Sequence, residues 1–152
     1  MTVGRFDHVA IEVGDLDAYI ARLTETGALR LMRRGALGRS GQRIAMLGDG
    51  TGVKIELIER PGAQAPVLAH LAFRCDGVDA TRSDLMDRGW RAERGPNDLA
   101  DAHARSALLS DGAGLYLQVL AYRETSPDIA EWPASDTLER ADSPTTTGET
   151  PS

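Results

Sequence analysis

The sequence predicts an α+β protein built from two tandem βαβββ modules, and three observations carry that prediction. Residues 6–60, moved along by 62 positions, fall without a gap onto residues 68–122. Each copy opens on a β-branched run, continues with a helical apolar period, and closes on two strand-like runs joined by a Gly-rich turn. Between the copies lies Pro61-Gly62-Ala63-Gln64-Ala65-Pro66, a composition that suits a boundary. The first module is placed at 5–60, the linker at 61–66 and the second module at 67–122.

In the first module, residues 6–13 read as a strand by β-branched content and rough alternation. Gly14-Asp15 offers a turn and an N-cap. Leu16, Ile20 and Leu23 follow at helical spacing, with Gly27 where a C′ glycine belongs. Residues 29–34 form a weaker strand, and 35–41 read as a loop. Strands at 43–47 and 53–59 are joined by Asp49-Gly50-Thr51-Gly52, a hairpin signal.

The second module repeats the order. Residues 67–75 are a strand, and Asp76-Gly77 leads into a helix with Val78 and Leu85 on its apolar side. Gly89 ends that helix, and Trp90 packs against its end. A short strand at 91–94 precedes a loop at 95–102 that contains Pro96. Strands at 105–109 and 115–122 close the module, with Asp111 repeating the hairpin role of Asp49. Residues 123–152 form a tail expected to be mostly flexible, rich toward its end in Ser, Thr, Asp, Glu and Pro. Within it, Ile129 and Trp132 are the residues suited to dock on the body.

A net charge of −6 leaves no basic stripe to neutralise phosphates, so nucleic acid and an anionic membrane surface are not expected partners. Cys75 is the single cysteine, which excludes an intrachain disulfide and a Cys-rich zinc site. No run reaches the ~18–20 apolar residues that span a bilayer, and the N-terminus lacks a signal peptide's apolar core. The expected location is the cytoplasm.

The shift of 62 places His8 on His70 and Glu56 on Gln118. Two imidazoles, a carboxylate and a carboxamide are all metal-ligand types, and packing about a pseudo-twofold axis sets equivalent side chains opposite one another. The strings Phe6-Asp7-His8-Val9-Ala10-Ile11, Gly41-Gln42-Arg43-Ile44-Ala45-Met46-Leu47, Lys54-Ile55-Glu56-Leu57-Ile58-Glu59 and Ala69-His70-Leu71-Ala72-Phe73 together resemble the vicinal oxygen chelate superfamily. That superfamily holds glyoxalase I, methylmalonyl-CoA epimerase, extradiol dioxygenases, fosfomycin-resistance enzymes and bleomycin-binding proteins. The epimerase and glyoxalase branch is the most similar.

The resemblance implies a half-open β cup with flanking helices and a divalent metal ion (Fe, Mn, Co, Ni or Zn) held by His8, Glu56, His70 and Gln118. The last of these departs from the pattern, where Glu is common. Glu56 is implied as both ligand and catalytic base. Because side chains two apart on a strand share a face, Glu12 lies on the His8 side and Arg74 on the His70 side. Glu12 is thus a candidate second base and Arg74 a candidate anchor for a substrate carboxylate or phosphate. The two stand in equivalent positions and are placed to face each other. Lys54 and Tyr116, beside Glu56 and Gln118, are candidate pocket residues. Arg43 and Arg105 are read as structural partners of nearby Asp, and His103 as a loop residue of weaker interest.

These residues point first to a metal-dependent isomerase, epimerase or lyase that moves a proton beside a metal-bound carbonyl oxygen. Gln118 cannot serve as a base, so a one-base proton shuttle is favoured over two-base epimerisation. The alternatives are an Fe(II)-dependent dioxygenase, from the 2-His-1-carboxylate set, and a metal-free protein that sequesters a small molecule or antibiotic. A homodimer is expected, because a partner commonly covers exposed sheet edges.

Overall fold

The computed structural model describes residues 3–38 and 40–129. The elements run β1 (Val3–Val13), α1 (Leu16–Thr24), β2 (Arg30–Ala36), β3 (Arg43–Gly48), β4 (Lys54–Glu59), β5 (Val67–Cys75), α2 (Val78–Asp87), β6 (Arg91–Leu99), β7 (Ala104–Ser110) and β8 (Tyr116–Tyr122). All eight strands form one sheet in the order β2-β3-β4-β1-β5-β8-β7-β6. It curls into a half-barrel with the two helices on its convex side. Strand β1 runs parallel to β4 and antiparallel to β5, and β5 runs parallel to β8. The modules are therefore hydrogen-bonded along β1 and β5, and the cup is made within one chain.

Each helix packs on its own module's strands, and the two cores are copies. Val13, Leu16, Ala45, Leu47 and Leu57 are buried under α1. Their equivalents at a shift of 62 are Cys75, Val78, Ala107, Leu109 and Val119, buried under α2 with Leu85 and Trp90. Asp15 caps α1 by accepting from the Ala18 amide at 3.0 Å. Gly27 and Gly89 end the two helices at φ +77° and +100°, a region that a Cβ disfavours. Both hairpins close alike. The Asp49 carboxylate takes the amides of Thr51 and Val53, and Asp111 takes those of Ala113 and Leu115.

Strand β6 departs from the sequence reading. The strand expected at 91–94 continues to Leu99, through the Pro96 that suggested a loop. Two features reconcile Pro96 with the sheet. Strand β6 is an edge, so a missing N–H leaves no partner strand unpaired, and its register against β7 shifts between Arg94 and Asn97.

The chain after β8 also carries structure. A 3-10 turn at Pro127–Ile129 follows, with Ser126 and Asp128 buried. The Arg123 amide donates to the His103 carbonyl, and the Ser126 hydroxyl donates to the Ala102 carbonyl. Trp132 and the rest of the expected tail lie outside the described residues. Among the described residues no helix is long and apolar enough to cross a membrane.

Candidate metal centre

Register alone assembles the cup floor, because directly paired residues on neighbouring strands face the same side. One row runs Arg33, Met46, Glu56, Ala10, His70 across β2, β3, β4, β1 and β5. The other runs Lys54, His8, Ala72, Gln118, Leu108, Arg94 across β4, β1, β5, β8, β7 and β6. The shift of 62 exchanges the middles of the rows: Met46 with Leu108, Glu56 with Gln118, Ala10 with Ala72, His8 with His70. Alanines, both fully buried, occupy the two crossing points at the β1–β5 seam.

There His8, Glu56 and His70 converge, with one ligand-type atom from each lying within 4.8 Å of the others. The imidazole rings are 5.6 Å apart between centroids at 67°. His70 Nε2 lies 3.8 Å from a Glu56 carboxylate oxygen. Nε2 of His8 and Nε2 of His70 are both buried and have no hydrogen-bond partner. Gln118 lies half-buried beside the His70 ring.

A residue that the sequence reading passed over, Asp7, fixes the His8 ring. Phe6 pairs with Phe73 and His8 with Ala72, so Asp7 is the extra residue of a β-bulge. The bulge turns its side chain into the cup beside His8. Its carboxylate meets His8 Nδ1 at 2.7 Å, Arg74 Nε at 2.7 Å and Lys54 Nζ at 3.0 Å, and accepts from the Tyr122 hydroxyl. Burial works to raise the Asp7 pKa, but the bond to His8, the Lys54 charge and the Tyr122 hydroxyl outweigh it, holding the carboxyl well below the usual range. With Nδ1 engaged by a carboxylate, Nε2 is the His8 nitrogen left for the centre.

Elsewhere burial prevails. It raises the Glu56 carboxyl against the opposing charges of His8 and Arg33. It lowers the His70 imidazole to about 3, helped by His8 and Arg94 and opposed by Gln118. Two buried imidazole nitrogens without partners beside a desolvated carboxylate form a donor set that fits a divalent first-row cation.

The other sequence candidates are placed differently. Glu12 and Arg74 do not face each other: Glu12 pairs with Arg60 at 3.0 Å, and Arg74 is drawn to Asp7 by the bulge. Lys54 directs its ammonium to Asp7, to the Tyr122 hydroxyl and to the Asp128 carbonyl at 2.6 Å, which uses all three donors. Tyr116 is exposed at the rim. Arg43 binds Glu59 and Asp17, and Arg105 binds Asp79, as structural pairs. His103 bonds Thr125 at 2.9 Å, away from the centre. Asp128 adds a second unforeseen contact, a two-pronged ion pair with Arg33 at 2.8 Å.

The fold and this centre define a class: paired βαβββ modules around a cup whose polar floor suits a cation. The chain belongs to the glyoxalase/bleomycin resistance protein/dioxygenase superfamily, whose family model matches residues 7–107. Solved structures share the fold. A methylmalonyl-CoA epimerase in complex with methylmalonyl-CoA and NH4+ superposes with a TM-score of 0.69 at 24% identity, covering 82% of this chain and 99% of that one. The Mycobacterium tuberculosis methylmalonyl-CoA epimerase gives 0.70 at 23% identity, with coverages of 80% and 89%. A protein of Bacillus halodurans C-125 described as hypothetical gives 0.68 at 20% identity, with coverages of 80% and 96%. No curated protein matches the sequence.

Proposed function

We propose that this chain is a metal-dependent isomerase, epimerase or lyase that transfers a proton at the carbon beside a substrate carbonyl. The observation that carries this reading is the convergence of His8, His70 and Glu56, all three buried, with Nε2 of both imidazoles lacking a hydrogen-bond partner. His8, His70, Glu56 and Gln118 are the residues that would hold Fe, Mn, Co, Ni or Zn. A divalent ion there lowers the cost of negative charge on the substrate oxygen.

The chain's own residues supply the rest. Glu56 takes the proton from carbon and returns it, and burial pushes its carboxyl upward, toward the range where a base works near neutrality. Gln118 offers a neutral amide to the substrate oxygen. Glu12, on the same face as His8, is held by Arg60. That favours one carboxylate moving one proton in and out on the same face. The epimerase neighbours support this reading through their shared fold.

A second reading, an Fe(II)-dependent dioxygenase, is favoured by the same 2-His-1-carboxylate set. Metal analysis of protein purified without chelator tests the common premise. About one divalent ion per chain is expected, lost in His70→Ala. A metal-free wild type would leave only a ligand-binding protein. Solvent deuterium exchange into 2-oxo or thioester substrates, abolished by Glu56→Gln, then supports proton transfer. Oxygen uptake without exchange supports the second reading instead.

A further inference from the structure

The two halves of the cup share a backbone plan but differ in access. Lys54 is 3% exposed, while its equivalent Tyr116 is 40% exposed. Met46 is 1% exposed, while its equivalent Leu108 is half-buried. The chain after β8 explains the difference. Asp128 binds Arg33 from β2 with its carboxylate and Lys54 from β4 with its carbonyl. Both partners belong to the inner wall of the first module, so Pro127–Ile129 lies over that wall. Nothing equivalent follows β4. Among the described residues, the second module's wall, with Tyr116, Gln118 and Leu108, has no such cover.

Arg94 stands at the end of that wall, in the row that passes through Gln118 and Ala72 to His8. Two strand spacings, about 10 Å, separate it from Gln118, and an arginine side chain reaches most of that way. Arg33, Lys54 and Arg74 each have an ion pair, the first with Asp128 and the other two sharing Asp7. Arg94 is exposed and, among the described residues, has no ion pair or hydrogen bond. A lone guanidinium, planar and two-pronged, matches the geometry of a carboxylate.

We propose that the substrate enters over the second module's wall and that Arg94 holds a carboxylate carried by it, while its carbonyl end lies at the His8–Glu56–His70 centre. This rests on the metal-dependent reading above, and the test separates the two. Cobalt(II)-loaded protein is titrated with acetohydroxamate, an oxygen-pair chelator, and with malonomonohydroxamate, the same chelator carrying one added carboxylate. The cobalt visible absorption reports both bindings.

Wild type should prefer the carboxylated probe by about tenfold, the scale of one charge-assisted hydrogen bond. Arg94→Ala should erase the preference and leave acetohydroxamate affinity unchanged, and Arg94→Lys should keep part of it. Arg88→Ala, which removes a charge on α2, should keep it all. Equal affinities in wild type, a preference that survives in Arg94→Ala, or an equal loss in Arg88→Ala would each overturn the inference alone. Failure to load cobalt, or a spectrum that acetohydroxamate does not change, would overturn the metal-centred reading and this inference with it.

Discussion

Asp7 shows how much chemistry one residue can organise. It orients His8, neutralises Lys54 and Arg74, and accepts from Tyr122, all while 1% exposed. Asp7→Asn removes the charge and keeps the shape. Metal affinity should fall roughly 10–100-fold, as when a carboxylate behind a ligating histidine is lost. Stability should fall by about 3–5 kcal/mol, because two cations lose their buried counterion. Competition with a chelating dye and urea unfolding measure the two effects, and unchanged affinity would remove Asp7 from the ligand shell. The triad itself was legible in the sequence, since a shift of 62 pairs His8 with His70 and finds Glu56 at a matching strand position. Asp7 was not legible. Its second-copy equivalent is Ala69, and its orientation depends on a bulge that alternation does not reveal. For the same reason Lys54 and Arg74 read as substrate anchors, although both are drawn to Asp7.

Among the elements, the segment after β8 is the least symmetric and the most consequential. Repetition locates strands, helices and both hairpins because the second copy confirms the first. It is silent about a piece that occurs once. The end of the repeat at Tyr122 made residues 123–129 part of a tail, yet Asp128 is buried against Arg33, whose side chain is 8% exposed. Asp128→Ala should therefore cost about 3–5 kcal/mol, the usual consequence of stranding a buried charge. Arg33→Met in the same background should restore much of that loss. Urea titrations of the single and double variants check this, and additive losses would show that the pair is not coupled. Strand β6 teaches a related lesson. Pro96 suggested a loop because proline lacks a donor, but an edge strand does not need that donor.

At the scale of the molecule, no element among the described residues covers the convex face between the helices along the β1–β5 seam. Phe6, 48% exposed, stacks edge-on against Phe73 at 5.4 Å, and Leu68 beside this seam is 53% exposed. Apolar side chains grouped in this way favour burial against a second copy. The expected outcome is a homodimer in sedimentation velocity that Phe6→Lys shifts toward monomer without loss of bound metal. A wild-type monomer at micromolar concentration would remove the dimer from the description. The seam has one more consequence. Its two histidine-bearing strands are hydrogen-bonded within one polypeptide, so His8, Glu56 and His70 come together without a second chain. The two halves are accordingly free to differ, and here one carries Glu56 and the Pro127–Ile129 cover where the other carries Gln118 and, among the described residues, none.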